Sequence, residues 1–114
     1  MANSPARSGG DDGTAASHVE TEAAFEDLLE TEETLLVDFY ADWCGPCQMM
    51  APTVEELAAE IEATVVKIDV EKLPPVAARF DVKSIPAFVV FEDGQETERL
   101  VGMQEKSDLR GAVK

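Results

Sequence analysis

Cysteine is scarce in this chain: two in 114 residues, Cys44 and Cys47, too few for the disulfide framework of a small secreted domain. Histidine is scarcer still, with His18 alone, so one chain cannot assemble the roughly four Cys and His ligands of a structural zinc site. Cations are few, 9 Lys and Arg against 24 Asp and Glu, and the net charge of −15 would repel nucleic acid and anionic lipid alike. Long apolar runs are missing: residues 87–91 form the longest, far short of the roughly 20 residues of a membrane-spanning helix. The first 17 residues hold one Arg and no apolar stretch, unlike a secretory signal. No Gly-rich fingerprint for a nicotinamide or flavin is present either. A monomeric cytoplasmic protein that binds neither nucleic acid nor membrane, and holds no metal or other cofactor, is the expectation.

What is present suffices for one core, since 45% of the residues are hydrophobic. Residues 1–17, rich in Ser, Gly, Ala and Asp, read as a flexible tail, and residues 18–114 as the domain. The acidity calls for its own reason. Crowded carboxylates repel one another unless salt screens them, and at about 1 M salt the screening length falls to roughly 3 Å. The composition suits a cytoplasm of high ionic strength; an acidic protein in an ordinary cell is the plainer alternative.

Along the domain, residues 18–20 suggest a short edge strand. Thr21 can cap a helix with Phe25, Leu28 and Leu29 on one face. Residues 35–40 are nearly all apolar or aromatic, as in a strand buried on both faces. A long helical pattern runs through Met50, Val54, Leu57, Ala58 and Ile61, with Pro52 predicted to kink it. Residues 65–70 make a second buried strand, Pro74-Pro75 open a short helix, and residues 87–92 make a third strand. Asp93-Gly94 signals a hairpin into residues 96–101, and Ser107 could cap a last helix. Alternation of strand and helix followed by a hairpin predicts an α/β fold, a mixed central sheet of four to five strands with helices on both faces.

Cys44 and Cys47 lie where a buried strand ends and a helix begins. Their i, i+3 spacing puts both sulfurs on one helical face, within bridging reach. Free N–H groups and the positive end of the helix dipole favour a thiolate at the first position. Cys44 is expected to be the exposed nucleophile, with Cys47 one turn deeper as the resolving thiol. Gly45 removes bulk from the turn, while Pro46 pre-sets the helical φ and restrains the reduced form. Inert buried thiols and a merely structural disulfide are the competing readings, although so short a loop would stabilise little.

Trp43-Cys44-Gly45-Pro46-Cys47, preceded by Val37-Asp38-Phe39-Tyr40-Ala41-Asp42, resembles the active-site segment of the thioredoxin family. The likeness continues through Pro52, Lys67, Ile85-Pro86, residues 91–94 and Val101-Gly102, covering roughly residues 20–110. It implies the thioredoxin fold and a protein-disulfide reductase working through a mixed disulfide. It also implies disulfide-containing substrate proteins and a thioredoxin reductase or other electron donor as partners. Asp38 would be the buried carboxylate that relays protons for Cys47; the alternative is an Asp reaching solvent at a strand end. Lys67 would tune Asp38, or else point outward. Pro86 would be a cis-proline facing the dithiol, with the Ile85 backbone pairing to substrate, or an ordinary trans proline opening a strand. Trp43 would cover the active-site surface or simply pack, and Gly102 would leave room for substrate or simply end a strand. Ala87 and Gln48 depart from the family pattern, where Thr and a basic residue are common. A scaffolding role, or an oxidant or isomerase activity, are the rival functions.

Overall fold

The computed structural model describes residues 15–113. Its elements are β1 (Ser17–His18), α1 (Glu22–Thr31), β2 (Thr34–Tyr40), α2 (Gly45–Glu60), β3 (Thr64–Asp69), α3 (Pro74–Arg79), β4 (Ala87–Glu92), β5 (Gln95–Val101) and α4 (Lys106–Ala112). The five strands form one sheet in the order β1-β3-β2-β4-β5. β1 and β2 each pair with β3 in parallel, while β4 runs antiparallel to β2 and β5 antiparallel to β4. Parallel neighbours need a crossover, which α2 supplies between β2 and β3.

The central strands are buried on both faces and divide their side chains by the period of two. Leu35, Val37 and Phe39 of β2, with Val66, Ile68, Val89 and Phe91, pack under Phe25 of α1 and Val76 of α3. Leu36, Val65, Phe88 and Val90 point the other way, under Met50, Val54 and Leu57 of α2 and Leu109 of α4. Helices therefore cover both faces.

Local chemistry explains most boundaries. The Thr21 hydroxyl accepts the Ala24 N–H at 3.0 Å and starts α1. Asp93 and Gly94 both have positive φ, 51° and 83°, as a two-residue hairpin turn of this type requires. A Cβ on Gly94 would also approach the Leu29 carbonyl to 3.1 Å, so glycine is needed twice over. α2 runs as one helix through Pro52.

Two expectations move. The boundary after residue 17 is displaced, because Ala16 is buried in the α2 face of the core and the Ala15 and Ala16 amides donate to the Glu55 carboxylate. The tail expectation for residues 1–14 lies outside the described residues. Ser107 does not cap the last helix: Glu105 occupies that position, without a side-chain hydrogen bond, and Ser107 lies inside α4.

Candidate active site

β2 ends at Tyr40, and the chain turns through Ala41, Asp42 and Trp43 before α2. The turn closes by the Cys44 N–H donating to the Ala41 carbonyl at 3.2 Å. Cys44 is the N-cap of α2, and its sulfur accepts the Cys47 N–H at 3.2 Å. One of the N–H groups that a helix start leaves without a partner is thus aimed at sulfur. Gly45 and Pro46 form the first two helical positions, where the missing proline N–H deprives the helix of nothing. A Cβ at Gly45 would meet no other atom of the chain, so packing alone does not demand glycine there. Cys44 and Cys47 are joined as a disulfide with their Cα atoms 5.2 Å apart.

The expected contrast of exposed and buried sulfur does not hold for this oxidised pair. Cys44 is 4% exposed and Cys47 6%. Both sit against Ala41, with Tyr40, Val70 and Ile85 packed around them, and these neighbours come from three separate segments. Their walls are what differ. Cys44 Sγ lies 3.9 Å from the Ile85 carbonyl oxygen. Cys47 lines an open cavity of about 220 Å³ with His18, Tyr40, Ala41, Asp42, Gln48, Ala51 and Lys67. A larger cavity of about 610 Å³ lies far from the sulfurs, among Glu32, Glu33, Glu62 and Arg110, so size does not mark the chemistry here.

Asp38 is 3% exposed, which removes the solvent-reaching alternative. It stands on β2 on the α2 side of the sheet, in register with Lys67 of β3 and Phe88 of β4. One carboxyl oxygen, Oδ1, has no hydrogen-bond partner. Burial pushes its pKa up to about 7, and the Lys67 ammonium pulls the other way without cancelling the rise. Lys67 does not simply point outward: its Nζ lies 4.8 Å from the centroid of the Tyr40 ring. Tyr40 is itself pushed up to about 12, by burial first and then by Asp69, Asp42, Asp38 and Glu20.

On the Cys44 side, the Ile85–Pro86 peptide is cis. The Pro86 carbonyl accepts the Gly102 N–H at 2.8 Å, which brings the β5 end against the proline loop. Gly102 has φ 89°, a conformation that a side chain rarely adopts. Trp43 is 65% exposed, so plain packing does not explain it, and its indole N–H donates to the Glu71 carboxylate. Val101 and Met103, flanking Gly102, are also exposed apolar side chains.

The fold therefore gathers Cys44, Ile85, Pro86 and Gly102 on one side of the disulfide, and on the other Cys47 with Lys67, whose register partner is the buried Asp38. Sequence reasoning missed Tyr40, His18 and Glu71. Tyr40 had a signal, since it lies two residues after Asp38 and so on the same strand face. His18 and Glu71 had none, because strand pairing and a loop bring them in. Among the described residues no group of three or more His, Cys, Asp or Glu could hold a metal ion. No helix among them is long and apolar enough to cross a membrane.

Comparison with known proteins agrees with this geometry. The Thioredoxin family model matches residues 16–114. A thioredoxin of Staphylococcus aureus is 48% identical over 91 residues, which are 78% of this chain and 86% of that protein. Among solved structures, a variant thioredoxin of Halobacterium salinarum NRC-1 superposes with TM-score 0.82 at 37% identity, covering 91% of this chain and 93% of that one. A structure concerning thiol resolution in yeast mitochondrial 1-Cys peroxiredoxin by the glutathione/thioredoxin systems matches at TM-score 0.79 and 31% identity, over 86% and 92%. Thioredoxins use disulfide-containing substrates and reductase partners. A Cys-x-x-Cys pair at the mouth of a helix in this sheet, with these relatives, means that the chain belongs to the thioredoxin family and is a thiol–disulfide oxidoreductase that reduces protein disulfides.

Proposed function

We propose the following division of labour within that activity. In the reduced protein the Cys44 thiolate attacks a substrate disulfide, forming a mixed disulfide and releasing one substrate thiolate. Cys47, deprotonated with the help of Asp38, then attacks Cys44 Sγ. The second substrate thiolate leaves, two electrons have passed to the substrate, and the Cys44–Cys47 bond closes. Asp38 suits the proton step because its pKa near 7 lets it hold or release a proton near neutrality. Lys67, facing it in register, sets that balance. Trp43, Ile85, Pro86 and Gly102 form the substrate groove, where the Ile85 backbone pairs with an extended segment. Gly45 and Pro46 tune the redox poise of the pair. The observation that carries this reading is the placement of Cys44 at the N-cap, receiving the Cys47 N–H, with a buried carboxylate beneath the same face of the sheet.

The electron pair resides in the cysteines themselves, with no bound cofactor, and a thioredoxin reductase or similar donor restores the dithiol. Thiol enzymes oxidised by peroxide are one substrate class that the yeast neighbour suggests. We place the protein in the cytoplasm as a monomer. Its surface suits high ionic strength: nine cations cannot neutralise 24 carboxylates one for one. A melting temperature that rises with added salt is expected, and no rise, or a fall, would reject that adaptation.

Reduction of insulin disulfides tests the chemistry. Cys44→Ser should abolish turnover, and Cys47→Ser should accumulate a mixed disulfide visible by mass spectrometry. An unmodified rate in Cys44→Ser would overturn the reading. A reduction potential at the oxidising end of the family scale would instead assign the chain as an oxidant.

A further inference from the structure

Two residues lining the Cys47 cavity, His18 and Tyr40, have no part in the exchange set out above. They are joined to the residues that do. His18 sits in β1, in register with Lys67 of β3, and Lys67 is in register with Asp38 of β2 on its other side. His18 Nδ1 lies 3.1 Å from the Tyr40 hydroxyl, and the two rings meet edge to face with centroids 5.9 Å apart. The Tyr40 ring in turn carries the Lys67 ammonium at 4.8 Å.

A lysine at the open side of a strand has many rotamers, and water draws its ammonium outward. An aromatic face held in place offers a competing site for the cation. What holds this ring is the hydroxyl at its tip, and His18 is the side chain bonded to it. The bond closes in either tautomer, whether the phenol donates to Nδ1 or Nδ1–H donates to the phenol oxygen. Gln48, another polar group of the cavity, is engaged elsewhere, donating to the Asp42 carbonyl.

We propose that His18 is a positioning residue for thiol–disulfide exchange: it holds the Tyr40 hydroxyl, keeps the Tyr40 ring under the Lys67 ammonium, and so fixes the cation that faces the Asp38 carboxylate. The proposal rests on the reading of Asp38 as the proton partner of Cys47. The charged and titratable groups around His18 are Lys67 from β3, Tyr40 from β2, Asp27 from α1 and Asp42 from the active-site turn, with Glu20 two residues on; Cys47 of α2, in its disulfide, does not titrate. Lys67 is the one cation among them, and it is the charged group that acts on the Asp38 carboxyl.

The test is a carbon-13 NMR titration of the Asp38 carboxyl in the oxidised full-length protein. His18→Ala should raise the midpoint by roughly half a pH unit, since a loosened cation favours the carboxylate less. Tyr40→Phe, which leaves the backbone of β1 untouched, should move it in the same direction. His18→Gln, whose amide can still bond to the hydroxyl, should restore the parent value. Lys67→Gln should produce the largest rise, and adding His18→Ala to it should produce no further one. An unmoved midpoint in both His18→Ala and Tyr40→Phe would overturn the proposal. So would a full extra shift in the Lys67→Gln background. The pH profile of disulfide reduction follows the titration only if the Asp38 reading also holds; a moved titration with an unmoved profile would sink that reading and leave this one standing.

Discussion

The two faces of one strand make the sharpest contrast in this protein. β2 sends Leu35, Val37 and Phe39 to the α1–α3 face, where every partner is apolar and Phe25, Phe80 and Phe91 stack edge to face with centroids 5.1–5.9 Å apart. It sends Leu36, Asp38 and Tyr40 to the α2–α4 face. There the core begins in the same way, with Leu36 under Val54 and Leu57, but towards the disulfide it gives way to a buried carboxylate. The first face exists to be stable. The second accepts the unfavourable burial of a carboxyl, the group proposed above as the proton partner of Cys47.

The largest effect that would sharpen this contrast is expected from Phe91→Ala, which empties the aromatic cluster. It should cost about 3–5 kcal/mol in denaturant unfolding while leaving disulfide exchange by the folded protein unchanged. A loss of exchange rate in the folded protein would mean that the apolar face also serves the chemistry, and the comparison would break.

Asp38→Asn should act the other way round, slowing exchange and relieving the burial cost. The folded carboxyl has a pKa of about 7 against 3.8 for an ordinary one, so the folded state binds the proton more tightly than the unfolded chain. The stability this carboxyl allows is therefore intact below about pH 4 and is lost as pH rises through 7. At 1.36 kcal/mol per unit, the loss is on the order of 4 kcal/mol by pH 8. Urea unfolding of parent and variant from pH 4 to 8 should show a gap that changes across this range in favour of the variant. A gap that does not vary with pH would remove the electrostatic half of the argument.

The smallest effect is the control. Thr21→Ala removes the α1 cap and should cost about 1 kcal/mol, with no change in the pH dependence of exchange. A shift in that dependence would show that the two faces are coupled through the sheet.

Much of this was legible residue by residue. β4 and the Asp93-Gly94 turn could be read in advance because a run of apolar residues and a turn with two positive φ angles are local demands. The Thr21 cap is likewise a matter of three residues. The low exposure of Cys44 was not legible, because Ile85 and Val70 wall it in from segments far along the chain. Nor was Ser107, whose place in α4 depends on where the helix meets Glu56 and Glu60 through Lys106 and Arg110.

By itself the order of residues determined the kind of chemistry: a dithiol at a strand-to-helix junction needs only two sulfurs one helical turn apart, and spacing along a helix is set by the backbone. It made a buried Asp38 the expectation, since the strand around it is largely apolar, but left open an Asp reaching solvent at the strand end. Only the tertiary structure decided which walls the two sulfurs receive and which groups reach the carboxylate. Those contacts come from the pairing of β1, β2 and β3 and from the meeting of the proline loop with the end of β5, and pairing between distant strands depends on the whole packed sheet rather than on any short stretch of chain.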